Sequence, residues 1–224
     1  MNYPIKKIHG SFAEGANYSD KRLKIICVAY DRPIQLRILI DCFLVQTCPN
    51  WELSIIYDGE PPVWYVKLKN EYGKVIYYHN KKRRVHFYNS ETRMENFGHV
   101  NRNAMLKELT GTKDDFLLMT NDDNYYVPVF VETFLNNCHD DVGFVYCNTL
   151  HSYPQWNYRV HHSKIKQCDI DMGCFIIRFD IAQEVGFNFM HHSADGMYAE
   201  QCKILCDRNE LNVIKLDSVY FIHN

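Results

Sequence analysis

Short continuous apolar runs alternate with helix-patterned stretches through the first half of the chain, and that alternation leaves few folds open. "LKIICVA" (23–29) reads as a strand, and "DRPIQLRILIDCFLVQ" follows with Asp31 as a candidate N-cap and Pro33 in the first helical turn. The grammar repeats. "LSIIYDG" (53–59) reads as a second strand ending on Asp-Gly, "PPVWYVKLKNEYG" as a helix, and "KVIYYHN" (74–80) as a third strand. A helical stretch over about 94–109 leads to a strand at 116–120. The second half is less regular, with strands expected at 143–147, 174–178 and 213–222 and helices near 128–137 and 195–208. Strands that are apolar throughout and separated by helices imply an α/β, Rossmann-like, mainly parallel sheet covered on both faces.

In such sheets ligands bind beyond the carboxyl ends of the strands. Three polar tips belong there: Tyr30-Asp31-Arg32, Asp58, and Asn121 to Asn124. The 224 residues, 46% of them hydrophobic, suffice for one compact domain with a sizeable core. A formal charge of -2 argues against coating by nucleic acid, so any anion site is local. The nine cysteines contain no CxxC pair and lie mostly in apolar runs, which suits reduced thiols in a cytosol-like compartment. Cys202 and Cys206 share a helix face, but no second ligand pair completes a zinc motif. With neither an apolar signal core nor a membrane-length apolar run, the chain reads as soluble and cytoplasmic, with peripheral membrane association left open.

Asp122 and Asp123 stand side by side where the strand at 116–120 ends. Two adjacent carboxylates repel, and a cation relieves that repulsion; oxygen-only ligands suit Mg²⁺ or Mn²⁺, above all when a diphosphate supplies further oxygens. The competing reading is an ordinary Asx-rich turn, with Pro128 starting the next helix.

The surroundings bear on that choice. "IICVAYDRPIQLRILIDCFLVQTCPNWELSIIYDG", "TNDDNYYVP", and "MGCFIIRFDIAQEVGFN" followed by "ADGMYAEQC" occur in this order along nearly the whole chain from about residue 23. Together they resemble the family-2, GT-A-fold glycosyltransferases, and the Asp-Asp-Asn form is similar to that of the spore-coat polysaccharide branch. The resemblance implies a GT-A catalytic domain over 23–224, with a nucleotide-sugar-binding half (23–127) and an acceptor-binding half (128–224), after an N-terminal extension (1–22). It implies an inverting, divalent-metal-dependent transfer from a nucleotide diphosphate sugar, a UDP-sugar first, to a hydroxyl acceptor such as a glycan.

By the same resemblance, Tyr30 packs against the nucleobase, Asp58 reads a uracil-type edge, and Arg32 lies near the diphosphate. Asp123 becomes the direct ligand of Mn²⁺ or Mg²⁺, with Asp122 toward the ribose or the metal's water shell. His223 in "VYFIHN" completes the metal shell. Asp195 is the general base, with Glu200 a weaker candidate on another helix face. An arginine of the stretch 80–105 meets the diphosphate, either Arg93 or Arg102. One departure is clear: the family's small polar residues before the tyrosine are Val28 and Ala29 here, which removes a possible nucleotide hydrogen bond.

Other readings stay open at this point. Asp195 in "SADGM" also fits a helix N-cap. Lys81 to Arg84 fit a solvated loop. Trp156 and Tyr158, in "LHSYPQWNYRVHH", fit either an acceptor flap that stacks on sugars or a cover for the sheet. A non-catalytic nucleotide- or carbohydrate-binding module would use the same scaffold. A nucleotidyltransferase also pairs aspartates with Mg²⁺, although the chain has no Gly-rich phosphate loop.

Overall fold

The computed structural model describes residues 20–78, 85–94, 96–152 and 158–224. Nine strands and six helices are described within them. The strands are β1 Arg22–Ala29, β2 Trp51–Tyr57, β3 Val85–Asn89, β4 Asp115–Asn121, β5 Tyr125–Tyr126, β6 Val142–His151, β7 Val160–His161, β8 Phe175–Arg178 and β9 Asn212–His223. The helices are α1 Pro33–Leu44, α2 Val63–Tyr78, α3 His99–Glu108, α4 Phe130–Asn136, α5 Phe179–Val185 and α6 Ala194–Arg208. The nine strands belong to one mixed sheet in the order β3-β2-β1-β4-β8-β6-β9-β5, with β7 paired to β6.

The long ladders, β1 with β2, β1 with β4, β2 with β3 and β6 with β9, are parallel. Short antiparallel ladders attach β8, β7 and β5. The strands at the sheet centre are apolar on both faces because helices cover both. β1 is buried from Leu23 to Ala29, and β4 from Asp115 to Thr120. The helices supply matching stripes. In α1, Leu36, Leu39, Ile40 and Phe43 follow the spacing of one helix face, and all are buried. Gln46, just past α1, donates to the carbonyls of Cys42 and Val127 and accepts from the Val131 amide, which ties α1 to the start of α4.

Two expectations change. The segment 74–78 is not strand but the end of α2, and the third strand is Val85–Asn89, paired with β2 from Leu53 opposite Val85. The buried Tyr65, Leu68 and Tyr72 recur at helical spacing, so the helix runs on through residues whose local propensity favours a strand. Asp31 does not cap α1: Arg32 holds the N-cap position without a side-chain bond, and Asp31 has φ 51°. A left-handed Asp turns the chain between β1 and α1, and Pro33 opens the helix as expected. Residues 1–19, Lys81 to Arg84 and Trp156 lie outside the described residues. Among those described, no helix is long and apolar enough to cross a membrane.

Candidate functional site

Because β1, β2 and β4 run parallel, their carboxyl ends deliver Tyr30, Asp58 and Asn121 to Asn124 to one edge. The remaining wall comes from the antiparallel half. Pairing of β5 with β9 sets Tyr125 opposite Ile222, which carries His223 to the neighbourhood of Asp123. Two contiguous cavities result, of about 560 and 660 Å3. Tyr30, Asp58, Arg93 and Asp122 line the smaller one, and Asp123, His151, Asp171, Asp195 and His223 line the larger.

In the smaller cavity the Arg93 guanidinium lies 3.9 Å from the centre of the Tyr30 ring. The two side chains expected to meet base and diphosphate therefore rest on each other. Asp58 is buried, and its Oδ1 accepts from the Met94 amide (2.8 Å) and from Asn101 Nδ2 (2.7 Å). Gly59, at φ +117°, donates its amide to Ser90 Oγ at 2.8 Å, so the Asp-Gly tip of β2 is fixed against the residue that follows β3.

The paired aspartates share one arginine. Arg32 Nη1 is 3.1 Å from Asp122 Oδ1 and 2.7 Å from Asp123 Oδ2, and Asp122 Oδ2 also accepts from the Tyr30 amide at 2.9 Å. Burial pushes Asp122 up to about 6, against the pull of that amide and of Arg32. Burial likewise raises Asp123, while Arg32 and His223 draw it down. Asp123 Oδ1 is buried without a hydrogen-bond partner. Among the described residues no three His, Cys, Asp or Glu side chains gather closely enough to hold a metal by themselves.

Asp195 sits in the first turn of α6, one residue inside the helix, whose N-cap is Ser193. The N-cap reading of Asp195 therefore does not hold. Its Oδ2 accepts from the Met172 amide at 3.3 Å, and both residues line the larger cavity. Burial and the nearby Asp171 carboxylate push Asp195 up to about 7, against the attraction of Arg102. Glu200, the weaker candidate, accepts the Gln167 amide at 2.9 Å and serves to hold the preceding loop. Cys202 and Cys206 are both buried in the core.

Arg102 is only 1% exposed, yet it lines both cavities. It donates to the Phe97 carbonyl at 2.5 Å and to Asn121 Oδ1, and it approaches His99 Nδ1 at 3.3 Å. Arg93 and Arg102, the two alternatives posed by the sequence, both line the smaller cavity. Tyr158, in contrast, is 63% exposed and lines neither cavity.

Asp171 is the main residue that the sequence did not bring forward. Its Oδ1 accepts the Gly173 amide at 2.8 Å, and its Oδ2 lies 3.5 Å from His223 Nδ1. An Asp two residues before a Gly, just ahead of "CFIIR", is the signal that marks such a turn. His151 was also missed; its Nδ1 lies 3.2 Å from that of His223, opposite it in the ladder of β6 and β9. Only the tertiary pairing brings these two together.

Fold and cleft define a single-domain α/β protein of the GT-A type, with a polar two-chambered cavity at the carboxyl edge of its sheet. Solved structures that share this architecture include S. aureus TarS, with a TM-score of 0.66 at 14% identity over 91% of this chain and 36% of that one. The 1-349 form of TarS is similar in its complex with UDP (TM-score 0.63, 14% identity, 90% of this chain, 60% of that chain). So is its complex with UDP-GlcNAc (TM-score 0.62, 14% identity, 90% and 58%). The chain thus spans less than two thirds of these neighbours. No protein-family model and no curated protein matches the sequence.

Proposed function

We propose that this protein is a glycosyltransferase that moves a sugar, with inversion, from a nucleotide diphosphate sugar to a hydroxyl acceptor such as a glycan. One observation carries the reading: the paired aspartates and the raised carboxylate of Asp195 line one continuous cleft, Asp122 in the smaller chamber and Asp123 and Asp195 in the larger. An inverting displacement needs a diphosphate site and a base within one cleft, because the acceptor oxygen attacks from the face opposite the departing diphosphate. Asp195 takes the proton of the acceptor hydroxyl as the new C–O bond forms, and the bond to the diphosphate breaks with its electron pair. A carboxylate whose proton affinity lies near pH 7 suits that step better than an ordinary one.

On the other side, Tyr30 and Asp58 supply an aromatic surface and a fixed carboxylate for a nucleobase. Arg32 and Arg93 supply positive charge for the diphosphate. The complexes of TarS with UDP and UDP-GlcNAc favour a UDP-sugar as donor. The donor set also fits Mg²⁺ or Mn²⁺: Asp123 has a buried oxygen without a partner, and His223 stands near it. Such a hard cation is satisfied by one or two carboxylates plus phosphate oxygens and water. When bound by Asp123 and His223, it would supply charge to stabilise the departing diphosphate.

The test is calorimetric titration with UDP, GDP, dTDP and CDP, each with Mn²⁺ and with EDTA. The expected result is Mn²⁺-dependent binding of one nucleotide, UDP first, lost in Asp123→Ala and kept in Asp195→Asn. Asp195→Asn should meanwhile abolish transfer. No binding of any nucleotide in either condition would return Asp122 and Asp123 to being a turn, and normal turnover by Asp195→Asn would remove the assigned base.

A further inference from the structure

Where the two cavities meet, one residue is out of keeping with its neighbours. Four side chains line both chambers, Arg32, Phe97, Arg102 and Asn121, and Phe97 alone is apolar. The residue is 64% exposed, although a phenyl group gains most from burial. Its backbone is left-handed, at φ 58° and ψ 20°, a conformation that a bulky β-carbon disfavours. Strain of this kind persists only where the surroundings hold it, and here they are visible. The buried Arg102 guanidinium holds the Phe97 carbonyl at 2.5 Å, and Gly98 follows at φ +74°. An added Cβ at Gly98 would come within 2.6 Å of Val28 Cγ1, so the chain after Phe97 is pressed onto β1. The ring also meets His192 edge-on, at 5.7 Å between centroids.

A strained backbone, clamped from below by a buried cation, thus presents an aromatic face to the seam of a polar cleft. We infer that Phe97 is the platform on which the ring of the transferred sugar stacks, a specificity-determining contact that rests on the glycosyltransferase reading. The seam lies between the nucleotide side, marked by Tyr30 and Asp58, and the acceptor side, marked by Asp195. In a donor molecule the group between the diphosphate and the point of attack is the hexose. A pyranose carries its C–H bonds in patches on one face, and such a patch packs on an aromatic ring while the hydroxyls stay with polar groups. Tyr30 is less suited to that task because the Arg93 guanidinium already lies over its ring.

The experiment compares the affinity of the nucleoside diphosphate selected by titration with that of its glucose, galactose, N-acetylglucosamine and N-acetylgalactosamine conjugates. It uses wild type, Phe97→Tyr, Phe97→Ala and Phe97→Gly, all with Mn²⁺. For the hexose that wild type prefers, Phe97→Ala and Phe97→Gly should weaken the sugar nucleotide relative to the free nucleotide by about five- to tenfold, as for loss of one aromatic contact. Phe97→Tyr should keep the wild-type ratio. Phe97→Gly should melt no lower than wild type, because it relieves the left-handed strain.

An unchanged ratio in Phe97→Ala overturns the inference. Equal weakening of nucleotide and sugar nucleotide overturns it as well, since the ring would then support the nucleoside. So does a melting point several degrees lower in Phe97→Gly, which would make the ring structural. Absence of any nucleotide binding by wild type is a different failure, that of the glycosyltransferase reading itself.

Discussion

Replacing Asp195 by Asn separates the chemistry of this site from its stability. The Asp195 carboxyl is held at about 7, against 3.8 for an ordinary Asp. That gap means the folded protein disfavours the ionised form by about 4 kcal/mol. The group binds its proton more tightly folded than unfolded, so the cost is nearly absent at pH 4 and below. It grows as pH rises between 4 and 7 and is complete above pH 8. Asn carries no charge at any pH and can still accept the Met172 amide. Part of the gain is returned, because the buried Arg102 loses the attraction of Asp195. A net stabilisation of about 2 kcal/mol at pH 8.5 is expected, which for a domain of this size is about 5 °C in melting temperature. The assay is thermal unfolding of both proteins at pH 4.5, 6, 7 and 8.5. The curves should converge at the acid end and part steadily toward the alkaline end. An Asp195→Asn protein that melts at or below wild type at pH 8.5, or whose advantage does not depend on pH, would refute the electrostatic account.

The same carboxyl sets a rate profile: transfer should fall off below about pH 7, because a protonated Asp195 accepts nothing from the acceptor. Asp171→Asn should move that acid limb to lower pH, since it removes the negative neighbour that helps raise Asp195; an unmoved limb in a pH–kcat/KM series would exclude the coupling. Gly98→Ala should destabilise the fold by about 2 kcal/mol, from a left-handed backbone and a clash with β1, and should also weaken nucleotide binding. Urea unfolding and calorimetry check the two effects, and a neutral Gly98→Ala would show that the Phe97-Gly98 turn is not held as tightly as its geometry indicates.

How far a sequence discloses a site depends on how local each signal is. β1, β2 and β4 were legible because a strand buried on both faces must be apolar throughout, and Tyr30, Asp58 and Asp122 were then placed by topology alone. The end of α2 was not legible, because 74–78 has strand propensity and only the face carrying Tyr65, Leu68 and Tyr72 continues the helix. His223 was legible as a polar residue at a strand end, but its closeness to His151 and Asp171 depends on the pairing of β9 with β6. Phe97 was hidden for another reason. An exposed aromatic in a left-handed conformation has no sequence pattern of its own, and the following Gly is its only trace.

The charges of the cleft form one scheme. Asp122 and Asp123 share Arg32, while the buried Arg102 is attracted by Asp195, Asp171 and Asp122. Four carboxylates against these two guanidiniums leave negative charge in excess. On the Arg32 side the excess bears on Asp123, which has an oxygen without a partner, and this is where the proposed divalent ion would bind. His223 stands 3.5 Å from Asp171, and Arg102 donates to the Phe97 carbonyl and to Asn121 while its Nε is buried without a partner. Burial first, and then the Asp171 carboxylate, raise Asp195 to about 7 against the attraction of Arg102. On the proposed reading the same ingredients serve two ends, a cation demand at Asp123 where a diphosphate would be held and a raised base at Asp195 where a hydroxyl would be deprotonated.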